Sequence, residues 1–135
     1  MALFAQLGKY RNTGLLFMRV GLGVMFVLHG YPKLLGGPEK WEAIGSATKY
    51  AGIHFLPKAW GFLAACTETF GGFLLVLGLA FRPVCFLLLI NMIVATLMHF
   101  GTGGGIEQAA HAIEDGVVFL GLLFIGPGSY SVDKK

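Results

Sequence analysis

The sequence predicts an all-α fold: a bundle of four transmembrane helices with a short interfacial helix in the first loop. Only 13% of the 135 residues are charged and 56% are hydrophobic, whereas soluble domains usually carry about 25% charged residues. Four hydrophobic segments approach the ~20 residues that a helix needs to cross a bilayer. Clusters of glycine and proline, which interrupt helices, separate these segments.

We expect one domain over residues 1–135, with helices at about 13–35, 57–81, 84–100 and 106–125. Pro32 and the run Gly36–Pro38 close the first helix, and Pro57 suits the first turn of the second. Arg82 and Pro83 form the predicted turn into the third helix. A glycine-rich stretch, 101–105, precedes the fourth helix.

The first loop is rich in aromatic residues, with Trp41, Tyr50 and Phe55. Amphipathic aromatic side chains prefer the headgroup region of a bilayer. We therefore expect a short helix around Trp41–Tyr50 that lies along the membrane surface.

The charge pattern indicates a lipid bilayer as partner and excludes a nucleic-acid binder. Ten Lys and Arg against seven Asp and Glu leave a net charge of only +3, and the basic residues are scattered. Four crossings place both termini on one side. The positive-inside rule favours the cytoplasm for that side, because it carries five Lys or Arg and the opposite side carries four. The five are Lys9, Arg11, Arg82, Lys134 and Lys135.

Ionisable residues interrupt all four hydrophobic segments. Each costs about 2.5–3.5 kcal/mol in hydrocarbon, so each indicates a partner or a function. At ~1.5 Å per residue, three histidines lie roughly 22–24 Å, and three carboxylates roughly 17–20 Å, from the cytoplasmic ends. These residues are His29, His99 and His111, and Glu68, Glu114 and Asp115. Their similar depth predicts a shared polar site in the outer half of the bundle.

Three further polar residues belong to the candidate site. Arg19 lies roughly 9 Å from the inner end and Asn91 about 12 Å, so we expect Arg19 and Asn91 to be neighbours. Lys33 would either contact a ligand or extend its ammonium to the interface. Each of three residues also has a structural alternative. Asn91 would form a hydrogen bond between helices, and His29 would cap the end of its helix. His111 would lie at the membrane interface.

These residue types suit proton exchange with a lipophilic redox carrier. Carboxylates and imidazoles with different pKa values pass protons while such a carrier is oxidised or reduced, and quinone is one. We assign Glu68, Glu114 and Asp115 to catalysis. We assign binding to His29, Lys33, His99, His111, Arg19 and Asn91. The same histidines would also suit a transition metal or a bis-His haem, so the cofactor stays open.

Three segments resemble the DoxX family of small integral membrane proteins. They are Arg19–Leu34, Glu68–Leu79 followed by Arg82, and Gly126–Asp133. The resemblance implies a four-helix protein of a prokaryotic cytoplasmic membrane. Some members are subunits of thiosulfate:quinone oxidoreductase, and others belong to complexes that handle oxidative and thiol stress. The positions that match the family motifs are Arg19, His29, Gly30, Lys33, Glu68 and Gly72.

The leading hypothesis is a redox-associated membrane subunit that binds a quinone-like carrier in the outer half of the bundle. At most, it is one subunit of a quinone-linked membrane oxidoreductase, with other redox subunits or a second copy as partners. The alternative is a non-catalytic anchor or assembly subunit whose glycine-lined helix faces contact other subunits. A third possibility is a bundle that binds haem or a metal.

Overall fold

The computed structural model of the protein describes residues 3–135, and 82% of these residues are helical. The five α-helices are α1 (Arg11–Leu35), α2 (Gly37–Gly45), α3 (Pro57–Leu77), α4 (Phe81–Gly101) and α5 (Gly105–Ile125). A 3-10 helix, Ala5–Tyr10, precedes α1, and a second, Ser46–Ala51, follows α2. Helices α1, α3, α4 and α5 are long and apolar enough to cross a membrane, which confirms the predicted fold class.

The two ends of the bundle differ in what they carry. Helix α1 begins, α3 ends, α4 begins and α5 ends at the same end, which also holds the 3-10 helix Ala5–Tyr10 and residues 126–135. We call it the terminal-side end. The opposite, loop-side end carries α2, the 3-10 helix Ser46–Ala51 and the α4–α5 connection.

Helices α1 and α3 form a tight pair because glycines let their backbones touch. A Cβ atom added to Gly23 would lie 2.5 Å from the Gly72 carbonyl oxygen, and one added to Gly72 would lie 2.5 Å from the Gly23 oxygen. One added to Gly30 would lie 2.6 Å from the Thr69 nitrogen. Small residues allow such close approach between membrane helices. The glycine-lined faces of α1 and α3 therefore contact one another within the chain.

Helices α4 and α5 form a second pair. A Cβ atom on Gly116 would meet Met92 at an ordinary 3.5 Å. The two pairs join where α3 meets α4, around the Gly71–Val84 contact, and large buried side chains fill the centre: Phe81, Leu88, Phe119 and Leu122. On the remaining side of the bundle, the backbones of α1 and α5 stay apart, since no Cα atom of α1 lies within 8 Å of a Cα atom of α5.

The predicted ends of two helices were wrong at the terminal-side end. Helix α3 stops at Leu77 because Gly78 adopts a left-handed conformation with φ of 67°. Helix α4 then begins at Phe81, so Arg82 and Pro83 lie in its first turn and are not the connecting turn. Proline is tolerated there because first-turn N–H groups lack partners within the helix.

The first loop also differs in detail. Pro32 lies inside α1, which continues to Leu35. The predicted surface helix exists but begins earlier, at Gly37, and Ser46–Ala51 continues as a 3-10 helix. Gly61 of α3 sits against the Trp41 backbone carbonyl, so α2 lies directly on the first turns of α3.

Candidate functional site: a polar cleft between α1 and α5

The sequence-predicted residues Lys33 and Glu68 form an ion pair between α1 and α3. The Lys33 ammonium donates to both carboxylate oxygens of Glu68, at 3.0 and 3.2 Å. The Glu68 side chain is 10% exposed and that of Lys33 is 35% exposed. The close approach at Gly30, one turn before Lys33, brings the two helices near enough for this contact. The pair therefore satisfies the carboxylate while leaving the ammonium accessible.

A second polar group lies across the wide side of the bundle. Asp115 on α5 is half-buried, and both His111 of the same helix and His29 of α1 lie within electrostatic range of it. His29, His111 and Glu114 are exposed on the outside of the helix bundle. Because the α1 and α5 backbones do not approach closely, these side chains border the side of the bundle between the two helices. We call it the α1–α5 cleft.

Two phenylalanines close the cleft toward the terminal-side end. The rings of Phe26 and Phe119 meet edge to face with centroids 5.1 Å apart, and both are buried. His29 stacks above Phe26 at 6.5 Å, also edge to face. Asp115 precedes Phe119 by one helical turn. This side of the bundle thus combines two buried aromatic rings with polar residues nearer the loop-side end, and small-molecule sites often combine apolar surface with a few polar groups.

His99 and Asn91 lie away from this cleft. The Asn91 amide donates to the Ala64 carbonyl of α3 at 3.3 Å, which is the interhelical bond foreseen as one alternative. His99 is half-buried near the end of α4. The backbone carbonyl of His99 accepts bonds from Gly104 and from the Thr102 hydroxyl.

Arg19 lies outside the cleft, in a cage of backbone carbonyls at the terminal-side end. Its guanidinium donates to the oxygens of Leu75 and Val76 in the last turn of α3, at 3.2 and 3.0 Å. It also donates to Pro127 and Tyr130, at 3.0 and 2.9 Å. The side chain is 1% exposed. The guanidinium replaces helical donors that the last turn of α3 lacks, and it faces the negative end of the helix dipole.

The expected pairing of Arg19 with Asn91 was wrong. Asn91 contacts Ala64, while Arg19 contacts Leu75, which lies eleven residues further along α3. At 1.5 Å per residue, the two positions are about 16 Å apart. The depth count failed because α4 begins three residues earlier than predicted, and because a long arginine reaches well beyond its own Cα level.

The segment from Gly126 to Lys135, which we call the C-terminal strap, joins the helix ends. The Ser129 amide donates to the Asn12 side chain at the start of α1. The Asp133 carboxylate accepts from the backbone N–H groups of Ala80 and Phe81, at 3.1 and 2.7 Å, and so caps α4.

Arg82 completes this arrangement from the first turn of α4. Its guanidinium donates to the carbonyls of Leu123 and Phe124, which end α5, and to Lys135. The strap and the two arginines thereby link α1, α3, α4 and α5. The sequence marked this segment only by a family resemblance, because its partners lie 50 or more residues away.

The structure gives no geometric support to a metal centre. Within residues 3–135, no group of three or more His, Cys, Asp or Glu side chains is placed to hold an ion. The groups it does bring together are an ion pair and a mixed histidine–carboxylate cleft. Phe119, which forms the floor, was missed because an apolar residue in an apolar helix gives no sequence signal.

Fold and site together define a multi-pass membrane protein with a polar cleft between its spans. A family comparison identifies the family: residues 14–101 match the DoxX model, and the chain belongs to the DoxX family. A protein of Haemophilus influenzae, described as an uncharacterized protein, is 30% identical over 136 aligned residues, which cover 96% of each chain. No solved structure matches the chain.

Proposed function

We propose that the protein binds a quinone-like carrier in the α1–α5 cleft and exchanges protons with it, as a subunit of a membrane redox complex. The observation that carries the proposal is the histidine and carboxylate pair across the cleft. His29 and Asp115 lie within electrostatic range of one another on helices whose backbones stay apart, and the Phe26 and Phe119 rings on the same side of the bundle are in contact. A gap between helices bordered by exposed polar groups is reachable from the bilayer, where a lipophilic carrier is dissolved.

Each wall of the cleft has a chemical role in this proposal. His29 would donate a hydrogen bond to a carbonyl oxygen of the headgroup, and Asp115, with Glu114 beside it, would accept or return the proton. The flat headgroup would rest on the Phe26 and Phe119 rings, since aromatic surfaces favour such contact. The electrons are assigned to a partner subunit. Together these residues bind, orient and supply protons.

Lys33 and Glu68 would set the charge at the loop-side edge of the cleft. The half-exposed ammonium of Lys33 is held by Glu68, so the ammonium stays near the site instead of extending to water. A fixed cation stabilises negative charge that develops on a reduced headgroup. The catalytic role predicted for Glu68 is in this view a positioning role through Lys33.

The test is direct binding of a short-chain benzoquinone or naphthoquinone to the purified protein in mild detergent. Asp115→Asn and His29→Gln should each weaken binding about tenfold or more, because a hydrogen bond to a charged group contributes about 1.5–3 kcal/mol. His54→Gln and Glu39→Gln are matched controls, since both residues are exposed in the first loop. They should leave binding unchanged.

The alternative of a non-catalytic anchor makes the opposite prediction. It requires that cleft variants bind partner subunits normally and that the protein shows no quinone affinity. The anchor alternative assigned the glycine-lined helix faces to other subunits, but four of these glycines make contacts within the chain: Gly23, Gly30, Gly61 and Gly72. Gly14 and Gly21 remain open on the outside of α1. Equal quinone binding by the wild type and both cleft variants would overturn our proposal.

A further inference from the structure

Charges are divided unevenly between the two ends of the bundle. Of the ten Lys and Arg residues, six lie at the terminal-side end: Lys9, Arg11, Arg19, Arg82, Lys134 and Lys135. Of the seven acidic residues, only Asp133 lies there, and its carboxylate binds backbone N–H groups. The other six carboxylates lie in the loop-side half: Glu39, Glu42, Glu68, Glu107, Glu114 and Asp115.

The terminal-side cations also have no acidic partner among residues 3–135. In the described part of the chain, the single ion pair is Lys33 with Glu68. Arg19 and Arg82 bind carbonyl oxygens, which leaves their full positive charge in place. Lys9, Arg11, Lys134 and Lys135 are exposed. The terminal-side end is therefore a cationic surface at the level where phospholipid headgroups lie.

The segment before α1 adds an apolar edge to this surface. In a 3-10 helix, side chains three residues apart lie in one row, and Leu7 and Tyr10 have this spacing within Ala5–Tyr10, with Phe4 directly before the helix. They are 60%, 54% and 72% exposed, respectively. Gln6 and Lys9 form the adjacent polar row. An apolar row beside a cationic one is typical of segments that lie in the headgroup region.

We propose that this terminal-side face, with the 3-10 helix Ala5–Tyr10 inserted at its edge, binds anionic phospholipid headgroups. Charge complementarity identifies the partner, because a cationic surface whose one acidic side chain, Asp133, is bound to backbone N–H groups attracts anionic lipids over zwitterionic ones. The apolar row would occupy the boundary between headgroups and acyl chains. The interaction would also orient the bundle, with its terminal-side end in the more anionic leaflet. None of this depends on quinone binding.

The two tryptophans of the chain provide a built-in reference, because Trp41 and Trp60 both lie at the loop-side end. The experiment reconstitutes the protein in vesicles that contain brominated phosphatidylglycerol or brominated phosphatidylcholine and measures quenching of tryptophan fluorescence. The native chain reports the loop-side end. A chain with Leu7→Trp, Trp41→Phe and Trp60→Phe reports the terminal-side end.

At the terminal-side reporter, we expect brominated phosphatidylglycerol to quench at least about threefold more effectively than brominated phosphatidylcholine at equal mole fraction. The preference should fall with salt and disappear when Lys9, Arg11, Lys134 and Lys135 are all replaced by Gln. Replacing Lys40, Lys49 and Lys58 by Gln should leave it intact. Equal quenching by both lipids at Leu7→Trp would overturn the proposal.

A second measurement does not depend on the reporter chain folding. Native mass spectrometry of the unmodified protein, released from detergent containing both lipids, counts the lipids that stay bound. Retention of phosphatidylglycerol over phosphatidylcholine that is lost in the four-Gln variant supports the proposal. Retention that is unchanged in the four-Gln variant contradicts it.

Discussion

At the terminal-side end, a charged side chain is fully enclosed, whereas in the loop-side half several are left open. Arg19 is 1% exposed and donates to four carbonyl oxygens. His29, His111 and Glu114 are exposed on the outside of the bundle. Buried polar groups stabilise a fold only when they are satisfied. The enclosed Arg19 therefore serves stability, and the loop-side half keeps polar groups available for a ligand.

The largest effect should follow from Arg19→Met. The change leaves four carbonyl oxygens without their donor, including two in the last turn of α3, and should lower the free energy of unfolding by about 3–5 kcal/mol. Unfolding in mixed SDS and dodecyl maltoside micelles measures it. Arg11→Met, at an exposed arginine of the same helix, is the control and should change stability by about 0.5 kcal/mol or less. Similar losses in the two variants would contradict the enclosed-cation interpretation.

The next largest effect should come from the glycine contact between α1 and α3. Gly23→Ala places a Cβ atom 2.5 Å from the Gly72 oxygen, so the helices must separate, at a cost of about 1–3 kcal/mol. The separation should also lengthen the distance between Lys33 and Glu68. Gly21→Ala, two residues earlier, meets nothing within 4 Å and is the matched control. If both variants unfold alike, the close approach of the backbones is not important for stability.

A smaller effect should follow from releasing the strap at α4. Asp133→Ala removes the acceptor for the Ala80 and Phe81 N–H groups, and loss of a helix cap costs about 0.5–2 kcal/mol. Glu42→Ala removes an exposed carboxylate at the other end and should have almost no effect. Faster hydrogen exchange at Phe81 in the Asp133 variant would confirm the cap, and unchanged exchange there would argue against it.

The smallest effect on stability should come from Glu68→Gln, which sharpens the contrast between the two regions. The Lys33 ammonium is 35% exposed, so it finds other partners, and the loss should stay within about 1 kcal/mol. Quinone affinity, by contrast, should fall, because Lys33 is no longer held at the cleft. A loss of stability as large as that of Arg19→Met would show that the ion pair serves the fold and not the site.

The sequence by itself determined the fold class and the presence of the spans. Long apolar segments bounded by glycine and proline leave few alternatives in a bilayer, because every backbone polar group must be satisfied within a helix. It also identified Glu68 and Lys33 as residues that need a partner. Two helix boundaries were decided by distant residues, since Arg19 binds the last turn of α3 and Asp133 caps the start of α4.

Only the tertiary structure decided which polar residues meet. Similar depth placed six ionisable residues at one level, but depth does not fix the direction in which a helix face points. Rotation of each helix follows from its packing contacts, and the close approach of Gly23 to Gly72 brings together the faces of α1 and α3 on which Lys33 and Glu68 meet. Arg19 was assigned to the binding site as a charged residue within a hydrophobic segment that matches a family motif. Its carbonyl partners come from two distant segments, and no periodicity in the sequence records that pairing.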